Sequence, residues 1–485
     1  MKTWHEIRRF PLAVRLLLVN QFGVNTGFYL LVPYLATHLT ENLGLSAVVV
    51  GVVLGVRNLS QQGLFLIGGS ASDRLGARGV IIAGCALRTV GFALFALGDD
   101  LAVLLAASVL SGFAGALFNP AVRAYLAQEA EERRAEAFAL FHVFATAGAL
   151  VGPLLGSALL LVDFRASALA AAGIFAVLTV AQALVLPARE VAPSRGTVLA
   201  DWREVLGNRA FRAFSLAMVG MFTLENQLYL LLPDGARRAT GWDGAAGLVL
   251  VLGTLAGLAF QLRITRALGR RGDRVRWIAV GLGLMALAFL PPVLVTGTGG
   301  GGGPDGTADA VLRALPVLAG ALLLHLGVMV AQPFVMELIP GFGRPELTGT
   351  YFGIFYVVSG VAAALGNAVV GRAMDAGRDG DTAWLPWACC ALFGLASALG
   401  VARLRRLGSL PAPPEPAAPA TAGADRADRA GRGAGEIREA REDQEAWEDQ
   451  GAREAREGRE IREIREDREV REAREAQEIK GGTPT

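Results

Sequence analysis

Twelve apolar runs divide the chain, at residues 11–37, 46–68, 79–98, 101–123, 137–161, 166–187, 210–233, 244–264, 275–295, 314–339, 349–371 and 384–404, with short polar turns between them. Each holds roughly 20 residues or more, enough to cross as a helix a hydrocarbon core about 30 Å thick. The pattern predicts an all-α integral membrane protein with twelve transmembrane helices. The opening MKTWHEIRRF is basic like the start of a signal peptide. The run behind it is too long for one and lacks a small-residue cleavage site, so it is expected to remain as the first span.

The runs repeat. FYLLVP at Phe28–Pro33 returns as LYLLLP at Leu228–Pro233, LGARG at Leu75–Gly79 as LGRRG at Leu268–Gly272, and Asn119-Pro120 of span 4 as Gln332-Pro333 of span 10. Three matches in the same order at corresponding spans argue for two six-helix bundles. They are expected at residues 1–187 and 210–406, joined by a polar linker at 188–209 and followed by a charged tail at 407–485. A parallel repeat of this kind belongs to transporters whose halves rock about a midplane site.

Composition and charge sharpen this picture. The 485 residues are 53% hydrophobic and mean hydropathy is +0.43, too high for a water-soluble protein of two or three domains. Residues 411–485 carry 20 acids and 14 basic residues, so the remaining 410 residues have a net charge of +8. In the first half Lys2, Arg8, Arg9, Arg74, Arg78, Arg133 and Arg134 lie on one side of the spans and only Arg165 on the other. The positive-inside rule makes the first side cytoplasmic, with both termini. Arg263, Arg266, Arg270, Arg271 and Arg274 agree with it in the second half, whereas Arg237 and Arg238 fall outside. In the tail, apolar residues recur every third position and drift around a 3.6-residue helix, which predicts a frayed solvated helix or disorder. Cys85, Cys389 and Cys390 fall inside apolar runs and make no disulfide framework.

The turn between spans 2 and 3 reads GGSASDRLGARG. Its pattern Gly69-x-x-x-Asp73-Arg74-x-Gly76-x-Arg78 resembles the loop signature of the major facilitator superfamily, with Ala77 where a second basic residue is usual. Small residues let this turn pack closely, and Asp73 can face the positive N-terminal end of span 11 near Thr348–Thr350. The resemblance implies a latch that joins the two halves when the cytoplasmic side is closed. A generic polar turn is the alternative.

Span 5 carries Gly148-x-x-x-Gly152-Pro153-x-x-Gly156. Glycines four apart allow close helix approach in lipid, and a proline inside a helix bends it. The set resembles the antiporter signature of drug–proton exchangers. At the corresponding place in span 11 stands Gly366-Asn367, without the proline. GVRNLSQQGLFLIGG, CALRTVGF and FNPAVRAY extend the resemblance to the bacterial multidrug-resistance translocase group over residues 10–405.

Charges at mid-span are costly and each calls for a reason. Glu225 lies inside span 7, followed by Asn226, Gln227 and Tyr229, and the repeat sets it opposite Asn25 of span 1, which shares a helical face with Gln21 and Tyr29. The resemblance implies that spans 1, 4, 7 and 10 line a central cavity, making Gln21, Asn25, Tyr29, Gln227, Tyr229 and Gln332 its candidate lining. Glu225 is the candidate proton carrier there, because desolvation penalises its charged form. A permanently neutral packing role is the alternative. Arg57, one turn from Gln61, is the candidate counter-charge. For Arg57 and Arg88 alike, helix bridging inside the first bundle is the other reading. Arg123, His142, His325 and Glu337 are secondary candidates. Two features depart from the drug–proton exchangers: span 1 offers Asn20 and Asn25 in place of an acid, and mid-span 4 offers Ser108 and Ser111 in place of an arginine.

The expectation is therefore a secondary transporter, not an enzyme. It would export amphipathic small molecules by proton antiport, with no cofactor or metal, as a monomer in the bilayer of the cell membrane with no nucleic-acid partner. A facilitator for one metabolite and a membrane scaffold with vestigial transport are the alternatives.

Overall fold

A computed structural model describes residues 7–98, 100–187, 196–242, 244–295, 306–377, 382–411 and 471. Eleven helices among them are long and apolar enough to cross a membrane. They are Leu12–Asn42 (span 1), Ala77–Leu97 (span 3), Leu101–Glu129 (span 4), Glu131–Leu160 (span 5), Phe164–Val185 (span 6), Arg209–Thr240 (span 7), Ala245–Gly269 (span 8), Arg274–Val293 (span 9), Ala308–Phe342 (span 10), Pro345–Ala376 (span 11) and Leu385–Arg406 (span 12). Span 2 is the pair Val48–Gly63 and Phe65–Leu75, bent by 44° where Gly63 weakens the helix. All twelve overlap the predicted runs. Several continue past the apolar stretch, span 4 to Glu129 and span 10 to Phe342, because backbone hydrogen bonding carries a helix on into water.

The same pairings recur in each half. Span 1 packs on spans 5 and 6, span 3 on spans 4 and 6, and span 2 on span 4. Span 7 likewise packs on spans 11 and 12, span 9 on spans 10 and 12, and span 8 on span 10. The halves meet through spans 2 and 11, spans 5 and 8, spans 4 and 11, and spans 5 and 10. Exchanging the halves turns each of these contacts into its counterpart, as a two-fold-related repeat requires. Many exposed side chains, including Leu59, Leu161 and Leu184, are large and apolar and face outward. Lipid is the solvent that makes such a surface stable.

Span 7 is not one helix. It runs as Arg209–Ala217, Val219–Asn226 and Leu231–Thr240, with turns over Gln227–Leu230. Two features compete with the ladder here. Pro233 has no N–H and its ring crowds the carbonyl four residues back, at Tyr229. The side-chain amides of Asn226 and Gln227 donate to the carbonyls of Phe222 and Thr223 at 2.8 and 2.9 Å. The backbone answers with tighter bonds, Gln227 N to Leu224 O and Tyr229 N to Asn226 O. In span 1, Pro33 sits inside an unbroken helix, without that amide pair.

The linker is also structured in part. Helix Val198–Gly207 lies within it, capped by the Thr197 hydroxyl, which accepts from Ala200 N at 3.2 Å. Residues 188–195 and the tail from 412 onward, Arg471 excepted, lie outside the described residues.

Candidate functional site

Asp73 bridges the halves. It is 7% exposed and accepts hydrogen bonds from Gly349 N at 2.7 Å, Thr350 N at 2.7 Å and the Thr350 hydroxyl at 2.6 Å. These are the first backbone N–H groups of the helix Thr348–Ala376, which have no partner within that helix. Gly69 allows the approach, since a Cβ there would meet the Gly349 carbonyl. Gly76 takes φ 84°, a left-handed value that favours glycine and turns the chain into span 3. Arg74 reaches Asp201 of the linker helix at 2.6 Å and the Gly196 carbonyl at 2.7 Å. Arg78 donates to the carbonyls of Leu186 and Ala183, at the end of span 6, at 2.7 and 2.6 Å.

Other charges gather at this Arg-rich end. Arg266 of span 8 pairs across the halves with Glu136 of span 5 at 3.2 Å. Glu337 of span 10 is 3% exposed and pairs with Arg274 at 2.7 Å. Arg134 of span 5 lies within electrostatic reach of it. The Glu136–Arg266 pair thus joins the halves, as the Asp73 contact does, whereas the Glu337–Arg274 pair ties spans 9 and 10 within the second half.

In span 5 the three glycines all face span 1. A Cβ on Gly148, Gly152 or Gly156 would meet the carbonyl of Phe22, Thr26 or Leu30 in turn. Polar bonds fix the register, with Asn25 Nδ2 donating to Ala145 O at 2.8 Å and the Tyr34 hydroxyl to Pro153 O at 2.7 Å. The second half repeats the contact with different chemistry. Gly366 abuts Thr223, and Gln227 Nε2 donates to Asn367 Oδ1 at 3.0 Å.

Between the halves lies a cavity of about 60 Å³, lined by Gln21, Arg123, Phe138, Phe141, His142, Ala145, Gln332, Pro333, Met336 and Tyr356. Of the predicted lining residues it holds Gln21 and Gln332. Gln21 also donates to Asn25 Oδ1 at 2.9 Å, so the predicted face of span 1 is intact. Arg123 lies over the Tyr356 ring at 4.8 Å and the Phe141 ring at 5.4 Å, and donates to Asn119 O at 2.9 Å. Tyr356 is within electrostatic reach of both Arg123 and Glu225. Sequence reasoning missed Tyr356, which sits in an apolar run, and Met336, an apolar residue beside the candidates Gln332 and Glu337 whose own side chain carries no charge to single it out.

Glu225 ends the helix Val219–Asn226, at the break in span 7. Its side chain is half-buried, and among the described residues no hydrogen bond or ion pair engages the carboxylate. Tyr229 is 70% exposed and lies within electrostatic reach of Tyr29 and Glu225, so spans 1 and 7 present these three groups to one another.

Two expectations need correction. Gln227 is fully buried against span 11 and does not line the cavity; the turns after Asn226 rotate it to Asn367. Arg57 is not the counter-charge of Glu225 in this conformation. It lies over the Phe28 ring at 5.0 Å, bonds Asn58 and, at 3.4 Å, Gln61, and has Tyr29 within electrostatic reach. It stays within the first half because Phe28 and its own helix already hold the guanidinium. Arg88 is held similarly, over Phe118 at 5.1 Å and Phe175 at 5.5 Å. His325 bonds its own helix, Nδ1 to Ala321 O at 2.8 Å.

Comparison with known proteins places this geometry. A family profile described as Major Facilitator Superfamily matches residues 17–367. An uncharacterized MFS-type transporter of Mycobacterium tuberculosis is 42% identical over 403 residues, covering 82% of this chain and 94% of that protein. The multidrug resistance protein MdtH of Photorhabdus laumondii is 30% identical over 389 residues, 80% of this chain and 93% of its own length. Among solved structures, the human organic anion transporter MFSD10 aligns with a TM-score of 0.62 at 20% identity, over 80% of this chain and 98% of that one. A POT family transporter aligns at 0.61 and 15% identity, over 83% and 99%. At such identities the two structures speak to the fold alone.

Proposed function

The chain belongs to the major facilitator superfamily, and we propose that within it this protein exports amphipathic small molecules by proton antiport through alternating access. The observation that carries the reading is Glu225 at the break of span 7, an acid whose carboxylate has no hydrogen bond or ion pair among the described residues and which lies within electrostatic reach of Tyr356 of span 11. Broken helices at a midplane site are where transporters of this architecture bind substrate and coupling ions. Similarity to proteins named for multidrug resistance supports export of varied compounds.

In this reading the Arg-rich end is cytoplasmic, by the positive-inside rule. The conformation described is the one closed to the cytoplasm, held by Asp73 on span 11 and by the Glu136–Arg266 pair. Glu225 takes a proton from outside while substrate leaves. When the Asp73 contact parts and the cytoplasmic side opens, the proton is released and a new substrate occupies the site beside the ionised carboxylate. Proton and substrate exclude one another at one group, which is the requirement for exchange. Gln21, Asn25, Tyr29, Tyr229 and Gln332 supply the polar contacts along the path, and the apolar and aromatic remainder accepts varied ring systems. The close fit of Gly148, Gly152 and Gly156 on span 1, with the bend at Pro153, gives span 5 a surface on which to pivot.

The test is efflux of a lipophilic dye from whole cells and from vesicles, with and without an uncoupler. Proton-coupled export predicts uphill efflux that collapses when the gradient is removed. Dye movement that only ever runs downhill, whatever the gradient, contradicts it.

A further inference from the structure

The linker helix Val198–Gly207 is amphipathic in the reverse of the usual sense. Toward the protein it presents one apolar side chain, the fully buried Val205, among polar groups: Asp201, 4% exposed, pairs with Arg74, and Trp202 Nε1 donates to the Ser70 hydroxyl at 2.7 Å. Glu204 takes two bonds from Arg344, at 3.0 and 2.6 Å, and Asn208 donates to the Phe342 carbonyl at 2.7 Å. Ser70 and Arg74 belong to the first half, Arg344 and Phe342 to the second. Away from the protein the helix turns Val198, Leu199 and Leu206 outward, 38%, 53% and 48% exposed. Leu199, Arg203 and Leu206 fall at i, i+4 and i+7 on that outer face, and Arg209 and Arg212 follow on the next helix. All three arginines are exposed, and among the described residues no acid pairs with them.

We propose that this outer face is a binding surface for anionic lipid headgroups, with Leu199 and Leu206 seated in the acyl boundary and Arg203, Arg209 and Arg212 on the phosphates. A helix lying in a membrane interface has this arrangement, apolar residues on one side with basic residues beside them. The helix stands where spans 2, 10 and 11 end, so the bilayer surface is the adjacent apolar phase. The acidic tail is a poorer occupant. It carries negative charge, but its apolar residues do not gather on one face to cover two leucines. Because its inner face joins both halves beside Asp73, a helix held by lipid also holds the closed arrangement. The surface needs only insertion in a membrane, so its failure would leave the exporter reading standing.

The test uses the full chain with Cys85, Cys389 and Cys390 replaced by serine and a fluorescent probe on Leu206→Cys. It is reconstituted in phosphatidylcholine vesicles with or without phosphatidylglycerol, and quenched by lipids bearing a nitroxide near the headgroup. A probe on Leu216→Cys, 70% exposed in span 7, serves as the control quenched in any lipid. At about 1 kcal/mol per basic residue near an anionic surface, three arginines favour the docked helix by on the order of 100-fold. The expected result is quenching at Leu206 that phosphatidylglycerol strengthens and that R203Q/R209Q/R212Q removes. A Leu206 probe that lipid never quenches while Leu216 is quenched overturns the proposal. So does quenching indifferent to phosphatidylglycerol, or quenching that appears only after residues 412–485 are deleted, which would make the tail the occupant.

Discussion

Replacing Asp73 by asparagine keeps the shape of the side chain and removes its charge. The carboxylate accepts three hydrogen bonds, at 2.7, 2.7 and 2.6 Å, two of them from the opening N–H groups of a helix. Asparagine offers one oxygen and turns an amide N–H₂ toward one of those donors. The loss of a charge-assisted hydrogen bond costs about 1.5–3 kcal/mol and the charge–dipole attraction contributes up to about 2 kcal/mol more, so a net of about 2–4 kcal/mol is expected. An equilibrium between closed and open forms then moves by roughly 30- to 1000-fold, at 1.4 kcal/mol per tenfold. Phe138 of span 5 reads this movement. It is 4% exposed and its ring lies 6.1 Å from that of Phe352 in the second half. With the native cysteines replaced, maleimide modification of Phe138→Cys from the cytoplasmic side is expected to accelerate by at least about 30-fold in Asp73→Asn. An unchanged rate in a folded Asp73→Asn protein would show that Asp73 is only a polar turn residue.

Gly152→Leu is expected to abolish transport while the protein still reaches the membrane. Its Cβ would lie 2.8 Å from both the Thr26 carbonyl and the Tyr29 Cβ, and overpacking of this kind costs about 1–3 kcal/mol; uptake and exchange assays beside a thermal melt check it, and normal transport counts against span 5 as a pivot. Arg57→Gln is expected to spare gradient-driven efflux and to lower thermal stability by about 0.5–2 kcal/mol, the range for a cation over an aromatic ring. Loss of coupling with unchanged stability would restore Arg57 to the proton path.

The spans and their order were legible because apolar runs of about 20 residues cross lipid as helices, barrel strands being half that length, and the glycine spacings announced close contacts at Gly69 and Gly148–Gly156 that the structure contains. Asp73 was legible for the same reason, since an acid on a small-residue turn has few places to go except a helix N-terminus. The break in span 7 was not. It arises from a coincidence of Pro233 with two amide side chains that compete for carbonyls, and the copy in span 1 keeps its proline without breaking. Of the two readings open for Arg57, the counter-charge role finds no contact and bridging within the first bundle does, because sequence shows that a cation is buried but not which ring satisfies it. Gln227 was misjudged because a local change in helical turn moves a side chain from one face to another. Tyr356 carries no polar cluster or spacing that marks it, and the charges of the linker helix, Asp201, Arg203 and Glu204, do not say which partners they meet; only packing brings both into view.

The central claim is that one carboxyl group, Glu225, carries the proton. Glu225→Gln keeps the size and hydrogen-bonding capacity of the side chain and removes its titration. The decisive measurement reconstitutes both proteins in vesicles and compares dye accumulation against a gradient under an imposed pH difference with dye counterflow under none. Wild type is expected to do both, and Glu225→Gln to retain counterflow while accumulating no dye beyond equilibrium. A Glu225→Gln protein that concentrates dye as well as wild type contradicts the account.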